Sequence, residues 1–265
     1  MRFSIFFCLI GCSTLDVPTP IDYPTSDGVL LSAYYGLDEL PWLAALPCEA
    51  FVGGDDGMPV TFSVRIDDDS LSVDSFSVTT GSGALVTPKC ATLRPATEAL
   101  ERRTVLLAGH FGTPDNPPRG VEVTGFLLDE SGALLTGLRT ETITPLASGP
   151  SLVLAERYSP ATPEFSGDCP SETRQIIQLV WDGGVSGPNG ADLGIAQREG
   201  VHVTLDDQTV IQPVALADDD PDNFVLACLD SASPAQSVRI EEGLFHDPGD
   251  DPNPATQSPV IFGHR

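Results

Sequence analysis

Short apolar or alternating runs recur along this chain, separated by Gly, Pro, Asp and Asn. They cover residues 29–35, 59–66, 75–79, 85–93, 103–108, 121–128 and 151–156, then 175–181, 201–205, 210–216, 224–229, 237–240 and 259–262. Phe62-Ser-Val-Arg-Ile66 and Val201-His-Val-Thr-Leu205 alternate as strands with one buried face do. Turn pairs such as Asp56-Gly57, Ser131-Gly132 and Asn189-Gly190 stand between runs. Helical period is scarce: a short helix is expected over 37–46, with Pro41 near its start, and one turn over 96–102. Many short strands with regular turn punctuation predict an all-β protein made of sandwiches or barrels.

Pro145, Gly149-Pro150 and Ser159-Pro-Ala-Thr-Pro163 mark a boundary, so two domains are expected, 28–148 and 149–265. The layout resembles two immunoglobulin-like or fibronectin-like β-sandwiches in tandem, with few short helices; the likeness lies in the layout and not in a tight motif. It implies an inter-sheet disulfide in each half, and a core position for Trp181 opposite a bridge. Asp56-Gly-Met-Pro-Val60, Ala91-Thr-Leu-Arg-Pro-Ala96, Arg102-Arg-Thr-Val-Leu-Leu107 and Asp251-Pro-Asn-Pro-Ala-Thr256 are similar to segments of an uncharacterised family of secreted β-proteins. That likeness implies no activity.

The chain opens Met1-Arg-Phe-Ser-Ile-Phe-Phe-Cys-Leu-Ile-Gly-Cys12: a basic start, an apolar run and a small residue before Cys12. This is the order of a secretory signal. Leu9-Ile10-Gly11-Cys12 resembles the lipobox of bacterial lipoproteins. The resemblance implies a signal peptide over 1–11, cleavage before Cys12 and acylation of that Cys. The apolar run is too short to span a bilayer, which needs ~20 residues. Residues 12–27, rich in Pro, Thr, Ser and Asp, read as lipid anchor and tether. The expected location is the cell envelope, on the outer membrane or a periplasmic or surface face.

Six cysteines occur. With Cys8 in the signal and Cys12 acylated, Cys48, Cys90, Cys169 and Cys228 remain, an even set in an oxidising compartment. Three connectivities are open. Cys48–Cys90 and Cys169–Cys228 are expected, because each pair lies within one candidate domain. No C-x-x-C supports a zinc site.

The net charge is −25, and Lys89 is the single lysine. Such a surface repels nucleic acid and anionic headgroups. It suits solubility first and cationic partners second.

Candidate chemistry is sparse. Asp218, Asp220 and Asp222 alternate along one loop, as carboxylates around a calcium ion do. Asp247, Asp250 and Asp251 form a second cluster beside His246 and Asn253, and Asp67-Asp68-Asp69 a third. These are candidate calcium ligands, although Asp, Asn, Gly and Pro also belong in solvated turns. Among the histidines, His202 is expected at a surface and His264 near the end of the chain. His110 lies in a Gly-flanked loop, and His246 beside Asp247 could form a base and its orienter. No nucleophile elbow, phosphate loop or H-E-x-x-H is present.

The expected function is that of a non-enzymatic envelope lipoprotein, a structural, adhesive or interaction module with a protein or glycan partner. One alternative is a divalent-metal hydrolase using the acidic loops with His110 or His246. Another is a small-ligand carrier, whose mark would be an open apolar pocket between the domains.

Overall fold

The computed structural model describes residues 28–40, 48, 52–217 and 222–263. Cys12, Asp218, Asp220 and His264 lie outside the described residues, as does most of the expected helix over 37–46. The protein is all-β: sixteen strands and one α-helix occur among the described residues. No helix among them is long and apolar enough to cross a membrane.

The first eight strands are β1 Leu30–Ala33, β2 Asp56–Phe62, β3 Phe76–Thr79, β4 Leu85–Val86, β5 Cys90–Thr92, β6 Thr104–Gly109, β7 Gly120–Val123 and β8 Arg139–Thr140. They form two four-stranded sheets, ordered β1-β2-β6-β5 and β4-β3-β7-β8. Strand alternation builds the core between them. Met58, Val60, Phe62, Val105 and Leu107 point inward from the first sheet, and Phe76, Val78, Val121 and Val123 meet them from the second. The intervening residues of β2 and β6, among them Pro59 and Leu106, therefore face outward.

The other eight are β9 Leu152–Tyr158, β10 Gln175–Trp181, β11 Val201–Leu205, β12 Val210–Ile211, β13 Ala215–Ala217, β14 Phe224–Leu229, β15 Ala235–Ile240 and β16 Thr256–Phe262. They make one continuous eight-stranded sheet, ordered β12-β11-β15-β16-β9-β10-β14-β13, that folds around its own core. β16 closes it. Its start pairs antiparallel with β15, and Val260–Phe262 runs parallel to β9. The order of the second half is that of the first with each label raised by eight. In the first half, the matching parallel join is a single bridge from Tyr34 to Thr144.

Several expectations are corrected. Runs 85–93 and 210–216 each contain two strands, parted at Pro88 and at Pro213. Proline offers no N–H to a ladder, and at both places the chain leaves one sheet order and joins the other. Leu37–Leu40 is not helical; Leu37 bridges Gly57 instead. Residues 96–102 are not helical, and 99–102 form turns. The single helix, α1 Ile195–Glu199, lies where no helical period was read.

Both expected disulfides are present, Cys48–Cys90 and Cys169–Cys228. Neither crosses between sheets. Cys90 packs with Leu40, Val52 and Ala108 on the outer face of the first sheet. Cys169 packs with Tyr158, Phe165 and Ile176, on the face opposite the core that holds Trp181. Each bridge pins the connection between the first two strands of its half against an outer sheet surface. Trp181 is a core aromatic, but its neighbour is Phe245, with ring centroids 4.7 Å apart.

The two halves interlock. Every residue of β10 and β14 is buried, because one face lines the internal core and the other is covered by the first half together with Phe165 and Cys169. Leu100 packs against Ile176 and Leu226, and Ala96 and Leu31 pack against Val180 and Phe224. At this junction the Arg103 guanidinium donates to Glu156 Oε2 at 2.6 Å and to the Ser63 carbonyl at 2.9 Å. The Tyr158 hydroxyl donates to the same Glu156 oxygen at 2.7 Å. Both charged side chains are nearly inaccessible, at 2% and 3%. Removing one partner of a buried pair leaves the other charge uncompensated. Glu156→Gln is expected to cost about 3–5 kcal/mol in urea unfolding, and the double change Arg103→Met with Glu156→Leu much less. A loss below about 1 kcal/mol for Glu156→Gln would place the pair among dispensable surface bridges.

Candidate functional site

A cavity of about 320 Å³ lies where the outer face of the first sheet meets the loop end of the second half. Pro59 of β2 and Leu106 of β6 form one wall, extended by Leu37 and Leu40 from the connection pinned by the first disulfide. Leu93, Arg94, Pro95 and Ala96, from the connection between β5 and β6, form a second. The far side is Gly183-Gly184 after β10, Asp222-Asn223 before β14, and Pro248. These three loops come together because antiparallel strands return their connections to common ends of a sandwich. The lining is mostly apolar.

Polar groups at the rim hold the halves together. Tyr34 Oη donates to Asp247 at 2.6 Å. Asn223 Nδ2 donates to Thr104 Oγ1 and to the Trp181 carbonyl, both at 2.8 Å. The Gly183 backbone sits so close to the Tyr34 ring that an added Cβ would fall 2.4 Å from it, so a side chain there would force the halves apart. Burial raises the Tyr34 phenol far above its ordinary range, reinforced by its bond to Asp247. Burial also raises the Asp247 carboxyl, against the Tyr34 hydroxyl, which favours the charged form.

The residues expected to bind cations or catalyse are distributed as follows. Asp222 is buried, and its Oδ1 accepts from the Phe224 N–H at 2.7 Å. Asp247 accepts from Tyr34 and from the Asp251 N–H. Asp250 accepts from the Asn189 N–H at 2.6 Å and lies 2.9 Å from His246 Nδ1. His246 is therefore partnered by Asp250, and not by the adjacent Asp247. His202 is partly buried and lies 2.8 Å from Glu241. His110 is 73% exposed and lies with Lys89 against the buried carboxylate of Asp55, in the first half and remote in sequence from His246. Among the described residues no three His, Cys, Asp or Glu side chains converge as metal ligands do.

Sequence reasoning missed Asp182. It is 2% exposed. It accepts from the Ser151 N–H at 2.6 Å and from Thr144 Oγ1 at 3.3 Å, holding the connection between the halves. Burial pushes its carboxyl up to about 6, with nearby Asp247 adding repulsion.

No known family pattern and no curated protein matches the chain.

The raised Asp182 value sets a pH dependence. The folded state holds this proton more tightly than the unfolded chain, so the group favours folding most below about pH 4. That contribution is lost as pH rises to about 6 and is constant above. Wild type is therefore expected to lose about 3 kcal/mol relative to Asp182→Asn between pH 4 and 7, read from denaturant midpoints at each pH. Parallel curves for the two proteins would contradict it.

Proposed function

We propose that this protein is a lipid-anchored binding module of the cell envelope that takes a small apolar ligand between its two halves. The observation that carries this reading is the apolar cavity walled by both halves. Pockets that hold small molecules are concave, mostly apolar and frequently sited at domain junctions. The two disulfides support an oxidising compartment. Leu9-Ile10-Gly11-Cys12 supports acylation at Cys12. The shared strand order of the halves supports an immunoglobulin-like reading of each, with sheets of the A-B-E-D and C-F-G kind. Such sandwiches present loops, and here the loops of one half face the sheet of the other. The ligand-carrier reading thus joins the interaction-module reading, and the envelope partner remains a protein or glycan met by the outer surfaces.

Two outcomes test it. An apolar, environment-sensitive dye should fluoresce on the full-length oxidised protein and not on Leu106→Trp, which fills the cavity from an outward-facing position. Equal signals would remove the cavity from the reading. Cells fed an alkyne-tagged fatty acid should label the wild-type protein and not Cys12→Ser, which should leave the membrane fraction. Label retained on the variant would remove the anchor.

A further inference from the structure

The polar inventory of the cavity narrows its ligand. Tyr34 is already engaged by Asp247, and Thr104 by Asn223. Asp222 accepts from its own loop. None of these is a vacant donor facing the cavity. Arg94 differs. It is exposed and belongs to the cavity lining, and its side chain has no hydrogen bond or ion pair among the described residues, so its guanidinium is within reach of a ligand at the mouth. Five of the eleven described lysines and arginines pair with a carboxylate, namely Arg65, Lys89, Arg102, Arg103 and Arg198; Arg94 is set apart from the other unpaired ones by its place in the cavity lining. A guanidinium offers a planar fork of donors that matches a carboxylate bidentately.

We infer that the cavity binds an amphipathic carboxylic acid, with its apolar body against Leu37, Pro59 and Leu106 and its carboxylate on Arg94. The inference rests on the reading of the cavity as the binding site. The volume of about 320 Å³ sets the size of the body. That volume, at the low end for small-molecule sites, matches a medium acyl chain. The charge is bounded too. Asp222 lies in the same lining and the protein repels anions as a whole, so a single negative charge is favoured over a dianionic phosphate.

The test is calorimetric titration of the full-length oxidised protein with decanoate, decanol and decyltrimethylammonium, each below its aggregation limit. Decanoate is expected to bind one per chain and about tenfold or more tighter than decanol, the worth of one charge-assisted contact. Arg94→Gln should bring decanoate to the level of decanol and leave decanol unchanged. Leu106→Trp should abolish both. If that variant does not fold, Gly184→Phe fills the cavity from the opposite wall, where an added Cβ meets nothing nearer than 3.6 Å. Decanol binding as tightly as decanoate, or the ammonium binding tighter, overturns the acid and leaves the cavity as a binding site. Binding of decanoate unaffected by either filling variant places it elsewhere and overturns the inference. Binding of none of the three overturns both the acid and the small-ligand reading.

Discussion

A guanidinium and a carboxylate buried together between β-sheets lose hydration that only close pairing and further hydrogen bonds offset. Arg103 and Glu156 meet that condition through the Ser63 carbonyl and the Tyr158 hydroxyl, although Arg103 Nε finds no partner among the described residues. Their geometry fixes how the first half lies on the second. Arg103 closes the connection between β5 and β6. Leu100 and Ala96 of the same connection cover β10 and β14, and Leu93 to Ala96 form one side of the cavity. A different seating of this pair would uncover the apolar outer faces of β10 and β14 and open the cavity together. Such a pair is weak evidence for stability, and here its effect falls on arrangement.

The strands were largely legible, for a simple reason. Val201 to Leu205 alternates because one face meets core, and the structure makes it a strand with the expected alternating burial. The runs Gln175–Trp181 and Phe224–Leu229 hold apolar residues at successive positions. That pattern means both faces are buried, and the second face is buried by the other half of the chain together with Phe165 and Cys169. The misses have equally local causes. β8 is two polar residues at a sheet edge, with no apolar signal. The splits at Pro88 and Pro213 stand in the sequence as prolines inside apolar runs, and a proline without an N–H weighs against a continuous strand there. The pairing of cysteines followed from domain membership. Their placement on outer faces did not, because it depends on which residues of β5 and β14 point inward.

The site was far less legible. Its lining is gathered from separate connections and from outward-facing strand residues, and Leu37, Pro59 and Leu106 look in sequence like any other strand or loop apolars. The acidic loops misdirected attention for the opposite reason. Asp222, Asp247 and Asp250 stand out as charge, yet Asp222 and Asp247 each accept from a backbone N–H of their own turn, Asp250 accepts from the Asn189 N–H of another connection, and Asp247 also receives a hydroxyl across the junction. Asp side chains commonly cap their own turns as Asp222 and Asp247 do. Asp182 carried no signal at all, since a lone carboxylate after a strand reveals nothing of its burial.

The first disulfide reaches further than bracing. Cys48 and Cys90 share a cluster with Leu37 and Leu40, and those two leucines are part of the cavity wall. A chain whose thiols are still reduced lacks the covalent tie that sets this wall in place. On the proposed ligand-binding reading, capture would depend on oxidation of this pair. On that same reading, an exported chain would complete the cavity only where thiols are oxidised, and apolar acids of a reducing compartment would meet an untied wall.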